Sequence, residues 1–281
     1  MFLSVLLLLT FAIPSAQAAS SDAVVNAADG VPIHYSVQGK GEPALVFVHC
    51  WSCDRNLWEN QVAEFAKKHR VVTIDLPGHG KSGQDRNNWS ITSYGEDVKT
   101  VVTKLDLKRV VLIGSSMGGP ISLEAARRMP DRVVGIVLVD TLHNIEQRVP
   151  AEQLNEVVKQ LQADYKTAIT GFLNQYYFGP KTPPAVKQRV IAEATSRPPE
   201  LAVTILRAIF AHDAAPSLRE VKVPIRAINA ALMPTNVAVN QKYAPQFNVV
   251  VMEGFGHYPM LEDPATFNRH LAGFLQSLPR K

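Results

Sequence analysis

A glycine-rich turn carries the serine in this sequence that is best placed to act as a nucleophile. Residues Gly114–Gly118 have the sequence GSSMG, follow the apolar run Arg109–Ile113 and precede a helix-like segment. A G-x-S-x-G motif between a strand and a helix is typical of a nucleophile turn, which exposes the serine hydroxyl. The alternative is an ordinary strand-to-helix turn in which Ser116 only caps the helix. The strand and helix on either side favour a catalytic Ser116.

A serine hydroxyl is a weak nucleophile until a base removes its proton, and histidine titrates in the right range. Of the eight histidines, His257 is the best candidate, because it lies in a glycine-flanked loop between the last predicted strand and the last predicted helix. The alternative is a loop histidine that bonds backbone groups or caps the helix at Asp263.

Acyl transfer also needs two hydrogen-bond donors for the oxyanion of the tetrahedral intermediate. The backbone N–H of Met117, directly after the serine, is expected to be one of them. The backbone N–H of Trp51, in the loop after a strand that ends near His49, is expected to be the other.

Taken together, these motifs resemble the serine α/β-hydrolase superfamily. Two further segments carry the resemblance, Val48-His49 with the loop that follows and Asp75–Ser82, and the match runs from about Ile33 to the C-terminus. The resemblance implies an α/β-hydrolase fold, with a doubly wound, mostly parallel eight-stranded sheet, an inserted helical cap, and no cofactor or metal. It also implies the chain order serine, acid, histidine, and that His49 and His79 shape loops instead of acting as bases.

Three positions depart from the family pattern. Cys50 stands where many relatives have glycine, so it would be strained if that position needs a positive φ. Ser115 stands where many relatives have histidine, which changes the packing beneath the turn. Met233 stands where the acid is usually found, after the strand predicted at Pro224–Asn229, and no Asp or Glu occurs between Glu220 and Glu253.

The missing acid must therefore come from elsewhere or be absent. Asp140 is the best substitute, because it ends the strand after the nucleophile's helix and some branches of the superfamily place their acid there. A carboxylate at that point can hold the Nδ1–H of His257. One alternative is that the Asp140 side chain only accepts hydrogen bonds from the first turn of the segment that follows it. The other is that another carboxylate, such as Glu146, orients the base.

Strand-like and helix-like segments alternate along the chain, which indicates a doubly wound α/β fold. Several strands are continuous runs of Val, Ile and Leu, as expected for parallel strands buried on both faces. The predicted strands are Ile33–Val37, Ala44–Val48, Val71–Asp75, Arg109–Gly114, Val133–Asp140, Pro224–Asn229 and Phe247–Met252. The predicted helices outside the cap are Trp58–Lys67, Ser93–Leu105, Met117–Arg128, Asn236–Tyr243 and Asp263–Gln276.

The alternation breaks between residues 141 and 218, where helical patterns are separated by prolines and aromatic residues are frequent. We interpret this interval as a helical cap over the carboxyl ends of the strands, where ligands bind in such folds. The core then comprises residues 19–140 and 219–281. Most of the cap's aromatic side chains are expected to hold its helices together, with one or two lining the pocket.

Composition and charge exclude some function classes. The 281 residues carry a net charge of +4 without a Lys/Arg run, so the sequence has no nucleic-acid footprint. Residues 1–18 resemble a secretory signal peptide, although no Lys or Arg precedes the apolar stretch. No later stretch is apolar enough to span a membrane, so we expect a secreted or periplasmic protein.

The only cysteines, Cys50 and Cys53, form a C-x-x-C pattern in the loop after a strand. We expect two buried or semi-buried thiols, with a local disulfide and a redox-active pair as alternatives.

The sequence thus predicts a serine hydrolase that cleaves carboxylic esters with a small or medium, partly apolar group through an acyl-enzyme. Ser116 is the expected nucleophile, His257 the base and Asp140 the acid. The substrate would be a small-molecule ester or lactone. Lactonase, C–C hydrolase and perhydrolase activities are the alternatives within enzymes. A ligand-binding or sensor protein with a degraded active site is the alternative of another class.

Overall fold

A computed structural model describes residues 21–279, and the predicted signal peptide at residues 1–18 lies outside them. Eight strands form one sheet in the order β1-β2-β4-β3-β5-β6-β7-β8. β2 is antiparallel to both of its neighbours, and β3 to β8 are parallel. The strands are β1 Ser21–Asn26, β2 Pro32–Gln38, β3 Ala44–Val48, β4 Val71–Ile74, β5 Val110–Ser115, β6 Val133–Val139, β7 Ile225–Ala230 and β8 Phe247–Met252.

Helices connect the parallel strands, as right-handed crossovers in an α/β fold require. The helices outside the interval 141–220 are α1 Glu59–Phe65, preceded by a 3₁₀ turn at Arg55–Trp58, α2 Ile91–Lys104, α3 Gly118–Arg127, α9 Val237–Tyr243, α10 Pro259–Glu262 and α11 Pro264–Ser277. α1 packs against α11, and α2 packs against α3. The predicted fold class, a doubly wound and mostly parallel eight-stranded α/β sheet, is confirmed.

Five helices lie between β6 and β7, in the interval predicted to be a cap. They are α4 Ala151–Ala163, α5 Tyr165–Tyr176, α6 Pro184–Thr195, α7 Pro199–Ala211 and α8 Ala215–Glu220. Proline stands at the first helical position of α6 and α7, where its missing N–H costs nothing and its fixed φ suits the helix. α4 packs on α5 and α7, and α5 packs on α6. No strand occurs between residues 141 and 218.

The central strands are buried on both faces because helices cover them. Every residue of β3, β4 and β5 is buried, in agreement with their apolar runs. The edge strand β1 was not predicted. Its residues are at least partly exposed and it pairs only with β2, so its sequence lacks the continuous apolar run of a buried strand.

No helix within residues 21–279 is both long and apolar enough to cross a membrane.

Candidate active site

Ser116 lies on a tight turn between β5 and α3. Its φ is +51°, a left-handed conformation that a residue with a Cβ adopts only under local constraint. Two hydrogen bonds supply that constraint: the Ser116 N–H donates to the Val139 carbonyl at 2.9 Å, and the Gly119 N–H donates to the Ser116 carbonyl at 2.9 Å. The first bond also fixes Ser116 beside the end of β6.

The glycines on either side of Ser116 allow two close approaches of the backbone. A Cβ on Gly114 would lie 2.0 Å from the carbonyl oxygen of Gly118. A Cβ on Gly118 would lie 2.4 Å from the carbonyl oxygen of Val48, at the end of β3. The G-x-S-x-G spacing is therefore a steric requirement of this turn, which packs α3 against the loop that follows β3.

Asp140 follows β6 and is hydrogen-bonded to His257, which lies between β8 and α10. The His257 Nδ1–H donates to Asp140 Oδ2 at 2.5 Å, and both side chains are buried. The other carboxylate oxygen, Oδ1, accepts the N–H of Ala230 at 2.8 Å. Burial alone would raise the pKa of Asp140, but the hydrogen bond and charge of His257 outweigh it and lower that pKa. The structure therefore brings together the predicted acid and the predicted base.

Three alternatives do not match these contacts: Asp140 as a cap of the segment after it, Glu146 as the acid, and His257 as the cap of the last helix. The Asp140 carboxylate accepts from Ala230, at the end of β7, and not from the first turn of the cap. Glu146 is exposed and accepts a hydrogen bond from Tyr243. The helix α11 is capped by the side chain of Asp263, which accepts from Thr266 at 3.0 Å.

The position where the family usually carries its acid has an apolar residue with an exposed side chain. Met233 is 53% exposed, in the loop between β7 and α9. Asn229 in β7 contacts both the segment after Asp140 and the loop that contains Met233. Its Nδ2 donates to the carbonyl of Thr141 at 3.2 Å and to Thr235 Oγ1 at 2.9 Å. Asn229 therefore holds the segment after Asp140 against β7.

Tyr177, at the C-terminal end of α5, covers the ring of His257. The two ring centroids are 4.1 Å apart with an interplanar angle of 35°, and the His257 N–H donates to the Tyr177 carbonyl at 2.7 Å. His257 Nε2 is buried and has no hydrogen-bond partner among the described residues, so Ser116 and His257 are not hydrogen-bonded here. The Nε2 atom is thus available to accept a proton, while the ring is fixed by Asp140 and Tyr177.

Glu262 in α10 holds the loop of His257 from the other side. Its carboxylate accepts the N–H of Gly256 at 2.7 Å, the N–H of Tyr258 at 3.1 Å and the hydroxyl of Thr182 at 2.6 Å. A buried carboxylate that accepts several hydrogen bonds fixes its donors firmly. Glu262 therefore ties the histidine loop to the segment that follows α5.

The backbone N–H groups of Trp51 and Met117 form no hydrogen bond within residues 21–279. Both residues are buried, and Gly118 packs on the carbonyls of Val48 and His49, so the two loops are in contact. Most backbone N–H groups in proteins are paired, and two unpaired N–H groups on adjoining loops are the kind of donors that an oxyanion hole presents. The side chain of Trp51 points to the cap, where its Nε1–H donates to the carbonyl of Ala202 at 2.9 Å.

His49 and His79 form hydrogen bonds with backbone groups only. His49 Nδ1–H donates to the Cys50 carbonyl at 2.7 Å, and His49 Nε2 accepts the N–H of Leu76 at 3.0 Å. His79 Nε2 accepts the N–H of Ser52 at 3.3 Å, and His79 Nδ1–H donates to the Pro77 carbonyl at 3.2 Å. Burial lowers the pKa of both imidazoles, which favours the neutral form that these contacts require.

The expectation of two thiols at Cys50 and Cys53 is wrong, because the two residues form a disulfide with a Cα–Cα distance of 5.5 Å. The turn between them brings the Cα atoms within the range that a disulfide spans. Cys50 would be strained only with a positive φ, and it does not have one. The residue with a positive φ in this loop is Ser52, at +60°.

Ser115 is fully buried beneath the turn, and its hydroxyl has no partner among the described residues.

Sequence reasoning did not identify the supporting residues Tyr177, Glu262 and Asn229. Tyr177 was one of several aromatic residues of the cap, and no local signal separated it from those that pack the helices. Glu262 follows His257 by five residues, but a glutamate at a helix end is normally solvent-exposed. Within residues 21–279, no group of three or more His, Cys, Asp or Glu side chains is arranged to hold a metal ion.

The sequence is similar to those of known proteins with the alpha/beta hydrolase fold. A family model for the alpha/beta hydrolase fold matches residues 43–180. A 3-oxoadipate enol-lactonase from Acinetobacter baylyi is 24% identical over 248 residues, which cover 86% of this chain and 92% of that protein. A pimeloyl-[acyl-carrier protein] methyl ester esterase from Yersinia enterocolitica is 26% identical over 259 residues, covering 87% and 97% of the two chains.

Solved structures have the same architecture. An esterase from Exiguobacterium antarcticum superposes with a TM-score of 0.82 at 21% identity, over 90% of this chain and 99% of that one. An N-acyl homoserine lactone degrading enzyme superposes with a TM-score of 0.77 at 29% identity, over 89% and 99% of the chains.

Proposed function

This chain belongs to the α/β-hydrolase superfamily, and on that premise we propose that it is a serine hydrolase that cleaves carboxylic esters through a covalent acyl-enzyme. Ser116 is the proposed nucleophile, His257 the general base and acid, and Asp140 the residue that orients His257. The backbone N–H groups of Trp51 and Met117 are the proposed oxyanion hole.

The observation that carries the proposal is the Asp140–His257 hydrogen bond beside the Ser116 turn. Ser116 and Asp140 follow adjacent parallel strands, and the Ser116 N–H bonds the carbonyl of the residue before Asp140. The carboxylate of Asp140 keeps the proton of the imidazole on Nδ1 and leaves Nε2 as the acceptor. General-base activation of a serine requires such an oriented base within hydrogen-bond reach of the hydroxyl, and we propose that Ser116 and His257 make that contact when substrate binds.

In the acylation step, His257 Nε2 takes the proton of the Ser116 hydroxyl while Oγ attacks the ester carbonyl carbon. The carbonyl oxygen becomes an oxyanion, which the N–H groups of Trp51 and Met117 stabilise. Asp140 stabilises the imidazolium that forms. The imidazolium then gives its proton to the alkoxide oxygen as the C–O bond breaks, so the alcohol leaves and the acyl group stays on Ser116.

In the deacylation step, a water molecule replaces the alcohol. His257 takes a proton from the water as its oxygen attacks the acyl carbon, and the second tetrahedral intermediate uses the same two N–H donors. Its collapse returns the proton to Ser116 Oγ and releases the carboxylic acid.

Lactone hydrolysis is the second candidate function, because the same steps open a cyclic ester. Two similar proteins favour it: the enol-lactonase from Acinetobacter baylyi and the N-acyl homoserine lactone degrading enzyme. The acyl or alcohol group is proposed to be small or medium and partly apolar, because Tyr177, whose ring lies against His257, also packs on Phe172. Nothing in the site favours C–C hydrolysis or perhydrolysis over ester cleavage.

The alternative of a non-catalytic binding protein was motivated by the missing acid at Met233. The contact between Asp140 and His257 supports the catalytic role instead, because it offers a carboxylate in place of the one missing at 233.

The test combines active-site labelling with a substrate panel. We expect a fluorophosphonate probe to label the wild-type protein with one equivalent at Ser116, and Ser116→Ala to abolish both labelling and turnover while the protein stays folded. A panel of short-chain esters, long-chain esters and lactones then identifies the preferred substrate. Ester or lactone hydrolysis that survives in Ser116→Ala would contradict the proposal.

We also propose that the protein is exported to an oxidising compartment. The N-terminal sequence motivates this, and the Cys50–Cys53 disulfide supports it, since disulfides persist outside the reducing cytosol. Fractionation of expressing cells tests it: the mature protein, shortened near Ala18, should be recovered outside the cytoplasm. A full-length cytoplasmic product would contradict it.

A further inference from the structure

The Cys50–Cys53 disulfide closes the loop that carries the proposed oxyanion donor Trp51. Cys50, Trp51 and Cys53 are buried, at 2%, 7% and 3% exposure. We propose that this disulfide is a positioning element, which holds the backbone N–H of Trp51 at the angle that the oxyanion requires. The inference rests on the proposed function, because it assigns to the disulfide a role in the same catalytic step.

The turn from Cys50 to Cys53 is closed by a weak backbone hydrogen bond and contains one residue in a left-handed conformation. The Cys53 N–H donates to the Cys50 carbonyl at 3.3 Å, which is beyond the usual range for a strong N–H···O bond. Ser52 occupies the third position of this turn with φ +60°, a position where a turn of this kind prefers glycine. A covalent link between the first and last residues prevents Ser52 from relaxing to a negative φ.

The direction of the Trp51 N–H depends directly on this turn. The peptide between Cys50 and Trp51 is the first of the three that the disulfide spans, so relaxation at Ser52 is transmitted to it. The Cys50 carbonyl, on the same peptide plane as that N–H, accepts from both His49 Nδ1 and the Cys53 N–H. Rotation of this peptide plane would break those bonds and aim the N–H away from the site.

The remaining contacts of the loop hold the residues around Trp51 and leave its backbone N–H without a partner among the described residues. The Ser52 N–H is taken by His79 Nε2, and the Ser52 carbonyl accepts from Arg197 Nε at 3.2 Å. The indole N–H of Trp51 is taken by the Ala202 carbonyl in the cap. A backbone N–H without a partner, in a loop whose disulfide and other contacts hold it in place, is a preorganised donor, and preorganisation is what makes an oxyanion hole effective.

A disulfide that only stabilised the fold would have a different signature from one that positions a donor. Loss of a purely stabilising link lowers the melting temperature and leaves kcat unchanged well below that temperature. Loss of a positioning link lowers kcat, because the oxyanion forms only in the transition state, and leaves KM nearly unchanged.

The experiment compares the wild-type protein with the Cys50→Ser/Cys53→Ser variant and with Phe274→Leu as a stability control. Phe274 is buried in α11 and contacts Gly135 near the start of β6, at the end of the sheet opposite Asp140. For each protein, kcat and KM are measured with a p-nitrophenyl ester, together with the inhibition constant of a trifluoromethyl ketone, whose adduct with serine places an oxyanion in the hole.

We expect the cysteine-free variant to lose about 10- to 100-fold in kcat, less than the loss of a whole donor, and a similar factor in affinity for the ketone, with KM close to that of the wild type. Phe274→Leu should lower the melting temperature and leave kcat unchanged. Adding Ser52→Gly to the cysteine-free variant should restore part of kcat, because glycine adopts the positive φ without strain. The triple variant also provides the measurement if the double variant does not fold.

An unchanged kcat and ketone affinity in an active, folded cysteine-free protein would overturn the positioning role and leave the proposed function intact. A wild-type protein with neither turnover nor fluorophosphonate labelling would instead overturn the proposed function and, with it, this inference.

Discussion

Asp140 and His257 are 117 residues apart in the sequence and are joined by a hydrogen bond of 2.5 Å between Oδ2 and Nδ1. Asp140 reaches His257 because it directly follows β6, the strand next to β5, and because its second oxygen is anchored on Ala230 in β7. The carboxylate thus lies one strand closer to Ser116 than the position after β7 where this superfamily usually carries its acid.

Replacement of Asp140 by asparagine tests its proposed role. The amide has no negative charge to stabilise the imidazolium, and it would allow the wrong tautomer of His257. We therefore expect kcat to fall by about 10³- to 10⁴-fold, as for the equivalent change in a serine protease. The measurement is kcat and kcat/KM on a short-chain ester. Asp131→Asn, an exposed aspartate at the start of the turn before β6, is the matched control. A rate near that of the wild type in Asp140→Asn would move the acid's role elsewhere.

An acid placed at the family's usual position should not rescue that variant. Met233 is 53% exposed, and the polar contacts beneath its loop are made by Asn229, so an aspartate at 233 would be solvated and would not contact His257. We expect Asp140→Asn/Met233→Asp to have the same kcat as Asp140→Asn. Recovery of a substantial part of kcat would show that the loop after β7 can still supply the acid.

Tyr177 is predicted to position the base through the stacked contact between the two rings. Tyr177→Leu removes the aromatic face 4.1 Å from His257, so the imidazole gains freedom and kcat should fall by about 10-fold. Tyr177→Phe keeps the ring and should retain a kcat near that of the wild type. Steady-state kinetics of both variants check the prediction, and an equal loss in both would point to the hydroxyl instead of the ring.

The buried carboxylate of Glu124 in α3 predicts a pH dependence of stability. Burial would raise its pKa, but hydrogen bonds from Arg127, Ser217 and Arg128 lower it from 4.5 to about 2. Because the folded pKa is below the unfolded one, the stabilisation is fully present above pH 4.5 and is lost as the pH falls toward 2.

The measurement is the free energy of unfolding in urea at neutral pH and near pH 3, for the wild type and Glu124→Gln. Glu124→Gln should be less stable at neutral pH, and the difference should shrink at the lower pH. Glu253→Gln, at an exposed position directly after β8, is the control and should change neither value. A difference that does not depend on pH would contradict the assignment.

Local sequence was sufficient to predict the turn that carries Ser116 and seven of the eight strands. The strand before Ser116 and the helix after it are determined by apolar runs and helical periodicity, and the glycine at 114 is required by a backbone approach to Gly118 within the same turn. The continuous apolar runs of β3 to β6 predicted strands that are buried on both faces, and these strands occur where expected. β1 was missed because an exposed edge strand has no such pattern.

The candidates for the acid could be reduced from the sequence by elimination, since no Asp or Glu occurs between Glu220 and Glu253. Its contact with His257 could not be derived, because it depends on the order of β5, β6 and β7 in the sheet and on the loop conformation held by Asn229. The bond between Cys50 and Cys53 likewise depends on the turn at Ser52, and a C-x-x-C spacing alone does not fix that turn.

The sequence by itself therefore determined the candidate residues for the chemistry and the elements that carry them, because helix and strand periodicity are local properties. Only the tertiary structure decided which distant groups meet. Tyr177 covers His257, Glu262 holds its loop, and Asp140 bonds its ring because strand order and the packing of α5 bring together segments that are far apart along the chain. Such contacts depend on the path of the whole backbone, and no local pattern encodes that path.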